Sequence, residues 1–205
     1  MKGGRRRTLA AAIGVALLPW LAGCDRLVEL AGKRTFHSTD ITGAEFARRL
    51  ELPDVDGRMR SLADWKGKVT VVFFGYTQCP DVCPTTMVEL AQLRKSLGAD
   101  ADRLQTVFVT LDPERDTAER LKAYVGNFGP GVTALRGNAE QTAAAAKEFK
   151  VFFAKVPGKA PGSYTLDHSA ASFVFDAAGK ARLYVPYGGD PKGFAADIRQ
   201  LAAAA

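Results

Sequence analysis

Apolar positions along the chain fall into runs of different period, and each run predicts a different element. Val69 to Phe74 and Leu104 to Leu111 are continuous β-branched and aromatic stretches, the pattern of strands buried on both faces. After Pro84, Leu90, Leu93 and Leu97 recur at helical spacing, as do Leu121 and Tyr124 in a later segment. A strand, a helix and a second apolar strand in that order predict a parallel pair with a right-handed crossover. Shorter pieces complete the pattern. Leu50 to Pro53 and Met59 to Leu62 form a hairpin about Asp56-Gly57, and Leu62 to Lys68 a helical turn with Trp65 as a core plug. Asp116 or Thr117 caps the helix through Leu121. Val132 to Leu135 is a short strand, Asn138 caps an alanine-rich helix to Phe149, and Val151 to Phe153 is extended. Pro157 to Ser163 reads as a mobile loop. Ala171 to Phe175 and Ala181 to Pro186 form a second hairpin, and Pro191 to Leu201 an amphipathic closing helix.

The first residues follow a different pattern. Residues 1 to 23 have a basic start, an apolar run from Leu9 to Leu21 and a small-residue end before Cys24, the anatomy of a secretory signal. The Leu-Ala-Gly-Cys run resembles a bacterial lipobox, whose cysteine is lipidated and becomes the first residue of the mature chain. That reading assigns the odd cysteine of three to an anchor, with acyl chains contributing about 0.8 kcal/mol per buried methylene. Asp25 resembles the signal that retains such lipoproteins in the inner membrane. Residues 24 to 47 are expected to be a tether that clips onto a domain spanning 48 to 205 through Phe36, Ile41 and Phe46. His37 within it is expected to be a surface histidine and not a ligand.

With 205 residues, 47% hydrophobic, the chain is sized for one core plus an extension. The pI of 9.3 invites a nucleic-acid partner, but Lys2, Arg5, Arg6 and Arg7 lie in the expected signal. Without those four, the 28 basic residues nearly balance the 22 acidic ones, which argues against a basic nucleic-acid footprint.

The chemistry concentrates between Gly75 and Met87, where an apolar strand gives way to a helix and Cys79 and Cys83 stand four residues apart. That spacing is expected to put both sulfurs on one face of a helical turn, within reach of one ion or of each other. A helix N-terminus favours thiolate over thiol, and a thiolate attacks disulfides and ligates soft metals. His168 precedes a strand; on spacing alone it is a packing, capping or ligating residue.

The run FGYTQCPDVCPTTM, with LDPERDT and DHS further on, resembles the signature of the SCO/SenC family, thioredoxin-fold proteins that carry copper to cytochrome c oxidase. The likeness extends from about Phe36 to the C-terminal helix. It implies an α/β, thioredoxin-like fold with a central mixed sheet flanked by helices, behind the N-terminal signal and tether. The predicted order ββαβαβαββα agrees with such a sheet. It further implies a copper site of Cys79, Cys83 and His168. Two thiolates and an imidazole form a soft, low-coordinate set that suits Cu(I), whereas structural zinc usually takes four ligands. Three ligands leave a side open for a partner's cysteine. Cu(II) would take a fourth donor from water, from the Asp81 or Asp112 carboxylate, or from the partner. Asp112 is otherwise expected to cap or solvate its loop, and Met87 to be core, not a thioether donor.

Implied partners are the oxidase subunit carrying the binuclear copper site, other periplasmic copper carriers, and the inner membrane through the lipid anchor, with the domain facing the periplasm. A second reading is a thiol-disulfide reductase with Cys79 and Cys83 as its redox-active, disulfide-forming pair. Against a general oxidoreductase stand three residues between the cysteines, where thioredoxins have two, and the lack of any proline between Pro161 and Pro186. Neither cysteine has the Thr-x-x-Cys setting of peroxide reduction.

Overall fold

The two continuous apolar runs form the centre of the molecule. Strands β4 (Val69–Gly75) and β5 (Leu104–Thr110) are buried along their whole lengths and pair in parallel, from Val69 with Leu104 to Gly75 with Thr110. Strand β6 (Val132–Leu135) extends the parallel half beyond β5. On the other side of β4 the sheet turns antiparallel through β9 (Ala171–Phe175), β10 (Ala181–Pro186) and β1 (Thr39–Asp40), giving the order β1-β10-β9-β4-β5-β6. This is the mixed central sheet that was expected. Helices α1 (Val82–Ser96), α2 (Ala118–Gly126), α3 (Ala139–Glu148) and α4 (Pro191–Ala202) connect or follow its strands. The β2 (Glu51–Pro53) and β3 (Met59–Ser61) hairpin is present, followed by a 3-10 turn, Leu62–Trp65, whose Trp65 is buried in the core.

The computed structural model describes residues 35–204. The signal, Cys24 and the tether up to residue 34 lie outside the described residues. Phe36 to the C-terminus forms one compact unit. Among the described residues no helix is long and apolar enough to cross a membrane.

Alternation along β4 sends Phe73 and Phe74 to opposite faces. Phe74 meets Phe149 at 5.0 Å between ring centroids, and Phe149 meets Phe173 edge-on at 5.1 Å. Such pairs contribute about 0.5–1.5 kcal/mol each beyond their buried area, enough to fix how this face packs. Phe73 lies on the other face, with Phe108 and His168 around it. Gly75, two residues on, shares that face, which is why the chemistry collects there.

Several elements differ from expectation. Helix α1 begins at Val82, so Cys83 is helical while Cys79 lies in the turn before it, and the pair does not share one helical face. Pro84 fits because a first-turn residue has no intrahelical partner for the N–H that proline lacks. Phe36, Ile41 and Phe46 pack against the core, and Thr39 and Asp40 form an edge strand. The backbone N–H groups of His37 and Ser38 donate to the fully buried Asp197 of α4, at 2.9 and 2.8 Å. Val151 to Ser169 holds an unexpected hairpin, β7 (Phe153–Pro157) and β8 (Tyr164–His168), in a sheet of its own. The segment expected as a loop is its turn, closed by Gly158 N–H donating to Ser163 O at 2.8 Å.

Candidate metal centre

Three segments meet at the C-terminal ends of β4 and β5: the turn after β4, the first turn of α1, and the end of β8. The backbone N–H of Cys83 donates to Cys79 Sγ at 3.4 Å, so the earlier sulfur satisfies a helix N–H that would otherwise lack a partner. Cys83 is fully buried against β4. A Cβ placed on Gly75 would stand 2.9 Å from Cys83 Sγ, 3.0 Å from Phe73 and 3.1 Å from Phe108. Only a residue without a side chain admits the sulfur there. Gly75→Ala is expected to cost about 1–3 kcal/mol and to displace Cys83, read as a lower urea midpoint together with weaker metal binding.

His168 comes to the sulfurs from the far end of β8. Its Nδ1 lies 3.1 Å from the Ser169 carbonyl oxygen, which can only accept, so Nδ1 carries the proton. In the neutral ring Nε2 then carries the lone pair, and it lies 3.5 Å from Cys83 Sγ. The Tyr76 and Phe73 rings flank the imidazole edge-on, at 5.9 and 6.5 Å between centroids. The two Sγ atoms and a ring nitrogen of His168 all lie within 4.8 Å of one another, the arrangement that one ion requires. Among the described residues this is the group of histidine, cysteine and acidic side chains with that geometry.

The two thiols divide the chemistry unequally. The hydrogen bond from the Cys83 thiol, working against burial and helped by the Asp81 and Cys83 backbone N–H groups, lowers the Cys79 pKa to about 5. The same bond, with burial, pushes the Cys83 thiol up. Both cysteines are free thiols. Cys79, Asp81 and His168 line an open cleft of about 360 Å³, whereas Cys83 lies behind them. A larger groove, about 460 Å³, runs between α1 and α4 and contains none of the three. A depressed pKa means that the reactive thiolate persists as pH falls, down to the shifted value. Iodoacetamide should therefore alkylate Cys79 of the native chain at a rate that climbs through about pH 5 and is flat by neutrality, with Cys83 protected. A profile rising only near pH 9.0, the ordinary value, would contradict this polarisation.

The secondary donors separate cleanly. Asp81 is exposed at the start of α1 and lines the cleft. Asp112 is neither a cap nor a surface carboxylate: it is 2% exposed, paired with Arg115 and accepting from Tyr164 Oη at 2.8 Å. Met87 is fully buried in the core. Thr117, not Asp116, caps α2, accepting from Arg120 N–H. Asp116 instead has a structural part that its sequence did not reveal. It is fully buried and accepts from Thr77 N–H at 3.0 Å, Thr77 Oγ1 at 2.6 Å and Thr110 Oγ1 at 2.6 Å, fixing the turn that leads to Cys79.

The family model described as SCO1/SenC matches residues 38–203. The chain belongs to the SCO1/SenC family. Among SCO relatives, the SCO2-like protein of Rickettsia felis is 35% identical over 153 residues, spanning 74% of this chain and 73% of that protein. The structure of Bradyrhizobium japonicum ScoI with copper bound is similar at a TM-score of 0.67 and 36% identity, covering 75% of this chain and 97% of that one. Apo Sco1 of Thermus thermophilus gives a TM-score of 0.71 at 33% identity, covering 83% and 99%. The family match reaches both the cysteine turn and the histidine hairpin, and it begins inside the segment expected to be tether.

Proposed function

We propose that this SCO1/SenC protein is a copper carrier that holds the ion between Cys79, Cys83 and His168 and passes it to the binuclear copper site of cytochrome c oxidase. The observation that carries the reading is the convergence of two sulfurs and an Nε2 lone pair within 4.8 Å from three separate segments. The donor set fits copper: two thiols and a neutral imidazole suit a soft ion and fall one short of a closed tetrahedral zinc site. The copper-bound Bradyrhizobium relative supports the same ion. Cys79 and His168 face the cleft, so an incoming thiolate reaches the ion from that side and Cys83 is the ligand left behind. Asp81 lines the same cleft, and a fourth donor for Cu(II) would come from it, from water or from the partner.

The oxidase as recipient follows the likeness of residues 75 to 87 to the family signature. Delivery from the periplasmic face of the inner membrane, by a domain anchored through lipidated Cys24, follows from the signal, the Leu-Ala-Gly-Cys run and Asp25.

A second reading, as thiol-disulfide reductase, is favoured by the paired free thiols and the depressed Cys79 pKa. Cys79 thiolate would attack a partner disulfide, and Cys83 would then displace the partner's second thiol. Two electrons and two protons pass to the partner while Cys79 and Cys83 become a disulfide. The test of carriage is copper binding by the full chain in both redox states. About one copper per reduced chain and none per oxidised chain is the expected result, because a disulfide offers no thiolate. Equal binding by both states would overturn the ligand assignment.

A further inference from the structure

The histidine hairpin raises a positional question, because β7 and β8 pair with each other and with no strand of the central sheet. The His168 end of β8 is held by β9, which begins at Ala171 in the central sheet, and by Tyr187 N–H donating to Ala170 O at 2.8 Å, so only the opposite end of the hairpin needs a tie of its own. At the other end of β8, Tyr164 is tied to the loop after β5. Its hydroxyl donates to Asp112 Oδ1 at 2.8 Å, and its carbonyl oxygen accepts from Arg115 Nη1 at 2.7 Å. The Arg115 guanidinium lies 3.5 Å over the Tyr164 ring, 5.8 Å from that of Tyr76, and pairs through Nε with Asp112. The same loop carries Asp116, which holds Thr77 and so the cysteine turn. One short loop is thus bonded to both halves of the metal centre.

We propose that Arg115, seated by Asp112 and gripping Tyr164, is a positioning residue that sets the distance from His168 Nε2 to the sulfurs. Tyr164, Leu166 and His168 alternate onto one face of β8. Paired to β7, the strand transmits a shift at Tyr164 to His168, about 13 Å along the chain. A second tie, Leu166 N–H donating to Tyr76 Oη at 3.3 Å, is long for a hydrogen bond. The salt bridge of Lys155 with Glu114 is exposed and therefore weak. Neither replaces the guanidinium, whose planar fork bonds a carbonyl and a carboxylate while stacking on a ring; a lysine keeps the charge and loses that geometry. The inference rests on the copper reading for its consequence but not for its geometry.

The test uses the full chain, reduced, with Arg115→Lys, Tyr164→Phe and, as a control of similar burial away from the site, Arg182→Met. Two readouts are compared: the nuclear Overhauser contact between the His168 and Tyr76 rings without metal, and Cu(I) affinity by chelator competition. Arg115→Lys should weaken the ring contact and lower Cu(I) affinity by about 10–100-fold, the range for residues behind a metal ligand, and Tyr164→Phe, which keeps the carbonyl and the ring that the guanidinium grips, should do both to a smaller extent. The Cys79 alkylation rate at neutral pH should stay, because Asp116 holds that half. Arg182→Met should change neither readout. Unchanged contact and affinity in both variants, or an affinity loss that follows melting temperature while the ring contact persists, overturns the inference. A wild-type chain that takes up no copper, with ring contacts still lost in the variants, supports the positioning role and overturns the copper reading instead.

Discussion

His168→Ala lowers the Cu(I) affinity of the reduced chain by at least about 100-fold while leaving the two thiols able to form and reduce a disulfide. Losing a residue that merely orients a ligand costs 10–100-fold, and His168 supplies the ligand atom itself. At 1.4 kcal/mol per tenfold, the loss is about 3 kcal/mol. Little of it should appear as lost fold stability, since the ring is only partly buried, beside the cleft that His168 lines. Chelator competition gives the affinity, a melting curve gives the stability, and reduction of a model disulfide gives the thiol chemistry. The pattern separates the two readings. A reductase that never carries copper needs Cys79 and Cys83 and is nearly indifferent to the imidazole, so equal copper affinity in wild type and variant would leave only redox exchange.

Cys83→Ala is expected to abolish both functions at once. Without the buried sulfur, copper keeps Cys79 and His168 alone, and no intramolecular disulfide can close. The substitution also removes the thiol whose hydrogen bond is the largest influence holding Cys79 near 5. The alkylation profile of Cys79 should therefore move upward in pH, toward the ordinary 9.0. That shift is opposite in sign to what burial alone predicts, because the small void left at residue 83 lets solvent closer to Cys79 and relieves desolvation. If Cys79 still titrated near 5 in Cys83→Ala, the polarisation of the pair would have another source.

The sulfur half of the centre was legible in the sequence because strong local signals agree there: an unbroken apolar strand, two prolines bracketing the turn, and a helical repeat beyond. The histidine half was not. Its hairpin carries apolar residues at Phe153, Leu166 and few other positions, and the Lys155 to Gly162 stretch is exposed, so no period stands out from a polar loop. His168 entered through topology and family likeness instead. Asp112 shows a different limit. A run of Asp, Pro, Glu, Arg and Asp reads as solvent-facing, and its burial depends on Tyr164, more than fifty residues away. The edge strand at Thr39 was hidden likewise, because two residues make no pattern and their partners are Tyr184 and Leu183. In each case the missing information was a long-range partner, which no window of sequence contains.

In the proposed centre one copper ion is gripped by two sulfurs, one from the turn after β4 and one from the first turn of α1, and by one nitrogen from a separate hairpin. X-ray absorption at the copper edge, on the reduced full chain loaded with one equivalent, tests it most directly. Two sulfur scatterers and one imidazole are predicted, with the imidazole contribution vanishing in His168→Ala. A shell of oxygen and nitrogen alone, or an imidazole signal that survives that substitution, would contradict it.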